Sequence, residues 1–154
     1  MPQLSTTRRV RHAASEMFDL VADVERYPEF VPLCQALRVR RRIEDEQGRE
    51  VLIADMEVGY RAIFEKFTSR VTLDRPRLKL LVEYIDGPFS RLENIWTFRD
   101  DARPGFSTVG FFIAYEFRNR VLGSLMGSMF DAAFRKFSAA FEARADLIYG
   151  RKSG

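Results

Sequence analysis

VLGSLMGSMFDAAFRKFSAAFEARADLIY, residues Val121 to Tyr149, has the clearest helical periodicity in the chain. Placed at ~100° per residue, Leu122, Leu125, Met126, Met129, Phe130, Ala133, Phe134, Phe137, Ala140, Phe141, Leu147 and Ile148 occupy about half the circumference. Ser124, Ser128, Asp131, Arg135, Ser138, Glu142 and Asp146 occupy the other half. A surface helix needs an apolar stripe only ~100° wide, so a stripe of this width predicts a long helix lying deep in something else.

What it lies in is legible upstream. Leu4 to His12, with Thr6, Thr7 and Val10, reads as a strand. Ser15 is placed to cap a helix carrying Met17, Phe18, Leu20, Val21 and Val24, which Tyr27-Pro28 stops. Glu29 to Cys34, preceded by Pro28 and broken by Pro32, reads as a short helix or an ordered loop. From Leu37 to Phe117 the pattern becomes strands at hairpin spacing: Leu37–Ile43, Glu50–Tyr60, a strand with Ile63, Phe67, Val71 and Leu73 on one face, Leu78–Ile85, Leu92–Phe98 and Ser107–Phe117. Seven strands in sequential hairpins make an antiparallel sheet, and the order strand, helices, six strands, long helix is an α+β domain whose sheet wraps the last helix. One domain over residues 1–150 is expected, with 151–154 a disordered tail.

Composition narrows the chemistry. One cysteine (Cys34) and one histidine (His12) leave no Cys/His metal cluster and no redox pair. No apolar run reaches the ~18 residues of a membrane-spanning helix, and the opening Met1 to Arg11 has no secretory core, so a soluble cytoplasmic protein is expected. The net charge of +3 is small, although arginine dominates the basic residues. Base composition explains that excess most simply; a basic face for RNA or anionic lipid, densest at Arg38, Arg40, Arg41 and Arg42, is the sharper alternative. On a regular strand Arg38, Arg40 and Arg42 share one face.

Few residues look reactive. His12 has no partner nearby in sequence and reads as structural, and Cys34 reads as a small buried hydrophobe. Asp55 and Glu57 share a strand face, with Glu65 on the next strand; facing a cavity they could serve as acid and base of a cyclase or dehydratase, and facing water they are a solvated sheet face. Gly123 and Gly127 permit close packing or loosen the start of the last helix. The 14 phenylalanines, five tyrosines and one tryptophan make a large aromatic interior, and spacing alone leaves plain core and lined pocket equally open.

Several motifs carry a resemblance. Val21 to Cys34 (VADVERYPEFVPLC), Asp86-Gly87-Pro88-Phe89 with Leu92 and Trp96, Tyr115-Glu116-Phe117, and Ala140 to Ala145 with Tyr149-Gly150 resemble the coenzyme Q-binding START-domain family, in its order and across nearly the whole chain. That family lies within the polyketide cyclase and lipid transport superfamily. The resemblance implies a helix-grip fold and a hydrophobic tunnel for ubiquinone or a related polyprenyl lipid, in support of respiratory electron transfer, without catalysis or a covalent cofactor. The absence of an Arg- and Ser-rich presequence favours a bacterial member, cytoplasmic and peripherally associated with the inner membrane. The same motifs occur in bacterial ribosome-association toxins, which implies the large ribosomal subunit as an alternative partner. A quinone tail gains almost nothing on leaving lipid for a protein tunnel, so transient docking on a membrane surface is expected. Ligand contacts are then expected from Phe30, Val31, Pro32 and Leu33, from Pro88, Phe89 and Trp96, and from Met126, Phe130, Phe134, Phe137 and Phe141. Tyr60, Tyr84 and Arg91 are expected at the mouth, holding the head group.

Overall fold

The computed structural model describes residues 3–60 and 63–150, without the side chain of Tyr60. In chain order these form β1 (Gln3–Val10), α1 (Ala14–Ala22), a 3-10 helix (Val24–Glu29), β2 (Cys34–Glu44), β3 (Glu50–Tyr60), β4 (Ile63–Asp74), β5 (Lys79–Asp86), β6 (Phe89–Asp100), β7 (Ser107–Phe117) and α2 (Arg120–Tyr149). The strands make one antiparallel sheet in the order β1-β7-β6-β5-β4-β3-β2, so β1 and β2 are its edges. Strand parity explains the core. Leu52, Ala54 and Val58 of β3, Phe67, Val71 and Leu73 of β4, Leu80 of β5, Leu92, Trp96 and Phe98 of β6, and Phe111, Ile113 and Tyr115 of β7 turn to one face and are buried under the helices. This is the helix-grip arrangement, with the two short helices between β1 and β2.

Three local expectations are corrected. Ser15 is exposed and does not cap α1: the cap position is Ala13, whose N–H donates to Glu16 Oε1 (2.9 Å), while Ala14 N–H donates to Asp100 Oδ1 (2.9 Å). Two carboxylates thus satisfy the donors that a serine was expected to serve. The first helix does not run on to Tyr27: it ends at Ala22, and Pro28 is accommodated inside the separate 3-10 helix. Lastly, α2 lies across the sheet as the fold class implies, but part of its apolar stripe is left exposed. Met126, Phe130, Ala133, Phe134, Phe141 and Ala145 are buried, whereas Leu125, Leu147 and Ile148 are exposed, so the buried stripe is narrower than the apolar one. Gly127 is not a packing site, since a Cβ there would meet nothing within 4 Å.

Cys34 opens β2 and is buried, which pushes its thiol up to about 11 and keeps it protonated near neutral pH. His12 is fully buried at the end of β1, and its carboxylate partner lies 134 residues away: Nε2 is 2.7 Å from Asp146 Oδ1. That contact pins the last turns of α2 to the first strand. Residues 151–154, expected to form a tail, lie outside the described residues.

Candidate functional site

Between the concave face of the sheet and α2 lies a cavity of about 80 Å³. At ~10–15 Å³ per water-sized unit it holds roughly five to eight, the scale of a single ring. None of its lining residues is charged. The sheet contributes Leu37, Ala54, Met56, Val58, Phe67, Ser69, Val71, Val82, Phe89, Leu92, Asn94, Trp96 and Ile113; α2 contributes Phe130, Ala133, Phe134, Phe137 and Phe141; Val24, Tyr27, Pro32 and Leu33 close one side. The half-buried lining residues are Leu37, Met56, Val82 and Phe137, together with Pro32 and Leu33 on the side that Val24 and Tyr27 also close.

That side is closed by a clasp between the 3-10 helix and α2. Phe141 packs edge-on against Phe30 (5.0 Å between centroids) and Tyr27 (5.3 Å), while Arg144 lies over the Phe30 ring (5.0 Å) and donates to Glu29 Oε1 (2.5 Å). Tyr27 is buried, its hydroxyl donating to Val21 O, and burial drives its pKa far upward. Leu33 takes a left-handed backbone, φ +69°, that non-glycine residues seldom adopt, and its carbonyl accepts from Gly59 N–H (3.0 Å). A strained residue thus forms part of the cavity's own lining.

Of the residues expected at the ligand, Pro32, Leu33, Phe89, Trp96, Phe130, Phe134, Phe137 and Phe141 line the cavity. Val31, Pro88 and Met126 are buried behind it, and Phe30 belongs to the clasp. Two of the expected mouth residues, Tyr84 and Arg91, do not line the cavity. Arg91 is exposed on the outer side of β6 opposite Glu116, and Tyr84 uses its hydroxyl to accept from Phe89 N–H (3.1 Å), bracing the β5–β6 turn. The side chain of Tyr60 lies outside the described residues. Two polar lining residues, Ser69 and Asn94, were not anticipated. Their signal is present in the sequence, because each interrupts an inward-facing apolar parity, Phe67-x-Ser69-x-Val71 and Leu92-x-Asn94-x-Trp96.

The carboxylate pair does not form an acid–base site. Ala54, Met56 and Val58 take the cavity face of β3, which turns Asp55 and Glu57 to the outer face. Asp55 is buried there by Arg40 (2.8 Å), Thr68 Oγ1 (2.6 Å) and Lys66 (3.8 Å), whereas Glu57 is exposed. Glu65 pairs in register with Val58 and so lies on the opposite face from both. The basic strand is also rearranged. A bulge between Val39 and Arg41 shifts the register, placing Arg38 opposite Asp55, Arg41 opposite Ile53 and Arg42 opposite the inward-facing Leu52. Arg38, Arg40 and Arg41 therefore share the outer face, and Arg42 turns to Glu25 of the 3-10 helix (2.6 Å).

The chain is similar to known proteins over almost its full length. The family model for polyketide cyclase / dehydrase and lipid transport matches residues 10–142. The ribosome association toxin RatA of Escherichia coli K12 is 30% identical over 152 residues, covering 99% of this chain and 92% of that protein. The mitochondrial coenzyme Q-binding protein COQ10 homolog B of Xenopus laevis is 30% identical over 153 residues, covering 97% of this chain and 60% of that protein. In shape, a START superfamily protein from Mycobacterium smegmatis superposes with a TM-score of 0.77 at 17% identity, over 95% of this chain and 98% of that one.

Proposed function

The chain belongs to the polyketide cyclase/dehydrase and lipid transport family, and from that premise we propose that it binds a polyprenyl quinone such as ubiquinone in the cavity under α2 and delivers it for use in the respiratory chain, without transforming it. The observation that carries this reading is the uncharged aromatic and aliphatic lining, which suits a neutral lipid. A fatty acid would leave its carboxylate unpaired there. The outward aim of Asp55 and Glu57 speaks against a cyclase or dehydratase use of the same cavity. Val121 and Leu125, 68% and 59% exposed on the first turns of α2, sit beside Arg118 and Arg120 and would supply a transient contact with a membrane surface. The test is mass spectrometry of organic extracts from protein purified out of a quinone-producing host. Co-purifying polyprenyl quinone is the expected result, and extracts containing no lipid would sink the reading.

A second reading, association with the large ribosomal subunit, is favoured by the outer face of β2. Arg38 and Arg41 are exposed and form no ion pair among the described residues, on an edge strand next to Arg40. Replacing both by glutamine should weaken co-sedimentation with ribosomal subunits and reduce the salt slope by about one per lost phosphate contact. Arg42→Gln, on the other face, should not. Equal effects from the two variants would exclude this surface.

A further inference from the structure

Apart from Tyr27, whose hydroxyl donates to Val21 O, the polar side chains of the cavity wall are Ser69 and Asn94, both on the sheet. Ser69 is in mid-β4, only 6% exposed, and its hydroxyl makes no hydrogen bond with a described residue. A hydroxyl in such a position is open to the cavity, where it can donate one hydrogen bond and accept others from whatever fills it. Asn94 is in mid-β6 and 9% exposed. Its Nδ2 donates to Phe112 O (2.8 Å) and its Oδ1 accepts from Trp96 Nε1 (3.1 Å). A carbonyl needs a donor and an indole needs an acceptor, so only one orientation of the amide serves both. A carboxamide has two N–H groups and two acceptor lone pairs, so one of each remains beside the cavity.

We infer that Ser69 and Asn94 form a head-group site on the floor of this cavity, and that it takes a neutral ring bearing two oxygens on opposite sides, which enters ring first. The inference deepens the proposed lipid-binding function and rests on it. Sheet register supports the spacing. Ser69 pairs with Tyr84, and Asn94 with Val82, two residues along the same strand β5. With strands ~4.8 Å apart and ~3.3 Å per residue, the two Cα atoms lie about 12 Å apart. A single carbonyl cannot reach both side chains, whereas opposed oxygens on one ring can. The cavity volume suits the ring alone, which leaves the tail outside it. With no charged lining residue, selection among neutral lipids falls to these two side chains.

Trp96 is the single tryptophan and lines the cavity, so its fluorescence reports binding of a quinone ring. The probes are a para-benzoquinone with a short prenyl tail, titrated directly, and the matching prenylbenzene and prenylphenol, measured by competition. The wild-type protein should rank them quinone, phenol, hydrocarbon. Ser69→Ala should weaken the quinone by roughly two- to tenfold, the range of one hydrogen bond, and leave the hydrocarbon unchanged. Equal quinone affinity in Ser69→Ala overturns the head-group site, and so does a wild type that binds all three probes alike. That second comparison needs no variant to fold. In both of those outcomes the lipid-binding function stands, whereas failure of every probe to bind removes it along with the site.

Discussion

Phe134 shows how one residue serves both stability and the site. It is 7% exposed and touches Tyr115 (5.1 Å), Phe137 (5.3 Å) and Phe130 (5.7 Å) while lining the cavity. Removing a buried phenylalanine ring costs about 3–5 kcal/mol, and each kcal/mol lowers the melting temperature of a domain this size by about 2–4 °C. Phe134→Ala should therefore melt some 6–20 °C lower and, at a temperature where it is still folded, carry less quinone in its extract than Phe134→Leu. Unchanged loading in the folded alanine variant would mean that the cavity is not where the lipid resides. Residues of this kind are the ones that sequence exposes best, because helical periodicity puts Phe130, Phe134, Phe137 and Phe141 on one face. Ser69 and Asn94 are just as readable in principle, as polar interruptions of an inward parity. Tyr84 and Arg91 mislead for a different reason: a polar side chain near a turn looks like a mouth residue, and nothing local says that Tyr84 is occupied by Phe89 N–H.

Element by element, the clasp between the 3-10 helix and α2 is the part of the fold poised to respond to conditions. Hydrogen bonds from Arg26 and then from Arg144 hold the Glu29 carboxyl below the usual glutamate range. A depressed folded-state pKa means that the pairing contributes above the unfolded value, about 4.3, and is lost as pH falls through the folded one. Following the Glu29 carboxyl carbon by NMR should show a midpoint below that value in the wild type. In Arg144→Gln the midpoint should move upward while remaining depressed, because Arg26 is still in place. No movement would show that the Arg144 contact does not hold the clasp in solution. Elements and their order were legible from hairpin spacing and the width of the last apolar stripe. Two local features were not. The β2 bulge exchanges Arg41 for Arg42 on the outer face, and strict alternation has no means of signalling an extra residue. The face of β3 was ambiguous because alternation separates Asp55 and Glu57 from Ala54 and Met56 without saying which set looks inward; only the neighbouring strands and α2 decide that.

At the scale of the whole molecule, the cavity and its proposed ligand are mismatched in size, and the mismatch dictates how the protein must work. About 80 Å³ accommodates a ring, so on the proposed reading a polyprenyl tail would have to lie outside the cavity or in a channel formed when the lipid enters. Each CH₂ of that tail costs about 0.8 kcal/mol to bring from lipid into water, so a tail of many isoprene units cannot cross an aqueous gap at a useful rate. It can cross if the open channel abuts the bilayer, where the tail exchanges one apolar surroundings for another at nearly constant free energy. Two kinetic regimes follow, and they are separable. If the protein released its lipid into water, transfer from loaded protein to acceptor vesicles would proceed at one rate whatever the vesicle concentration. Direct passage at the membrane makes the rate rise with vesicle concentration, and also with the anionic lipid content of the vesicles, since Arg118 and Arg120 flank the exposed Val121 and Leu125. We expect the concentration-dependent regime, with Leu125→Glu slowing transfer several-fold while leaving the equilibrium loading of the protein unchanged, because Leu125 is exposed and does not line the cavity. A rate independent of acceptor concentration would reject membrane passage, and a Leu125→Glu variant that transfers as fast as the wild type would move the docking surface away from the start of α2.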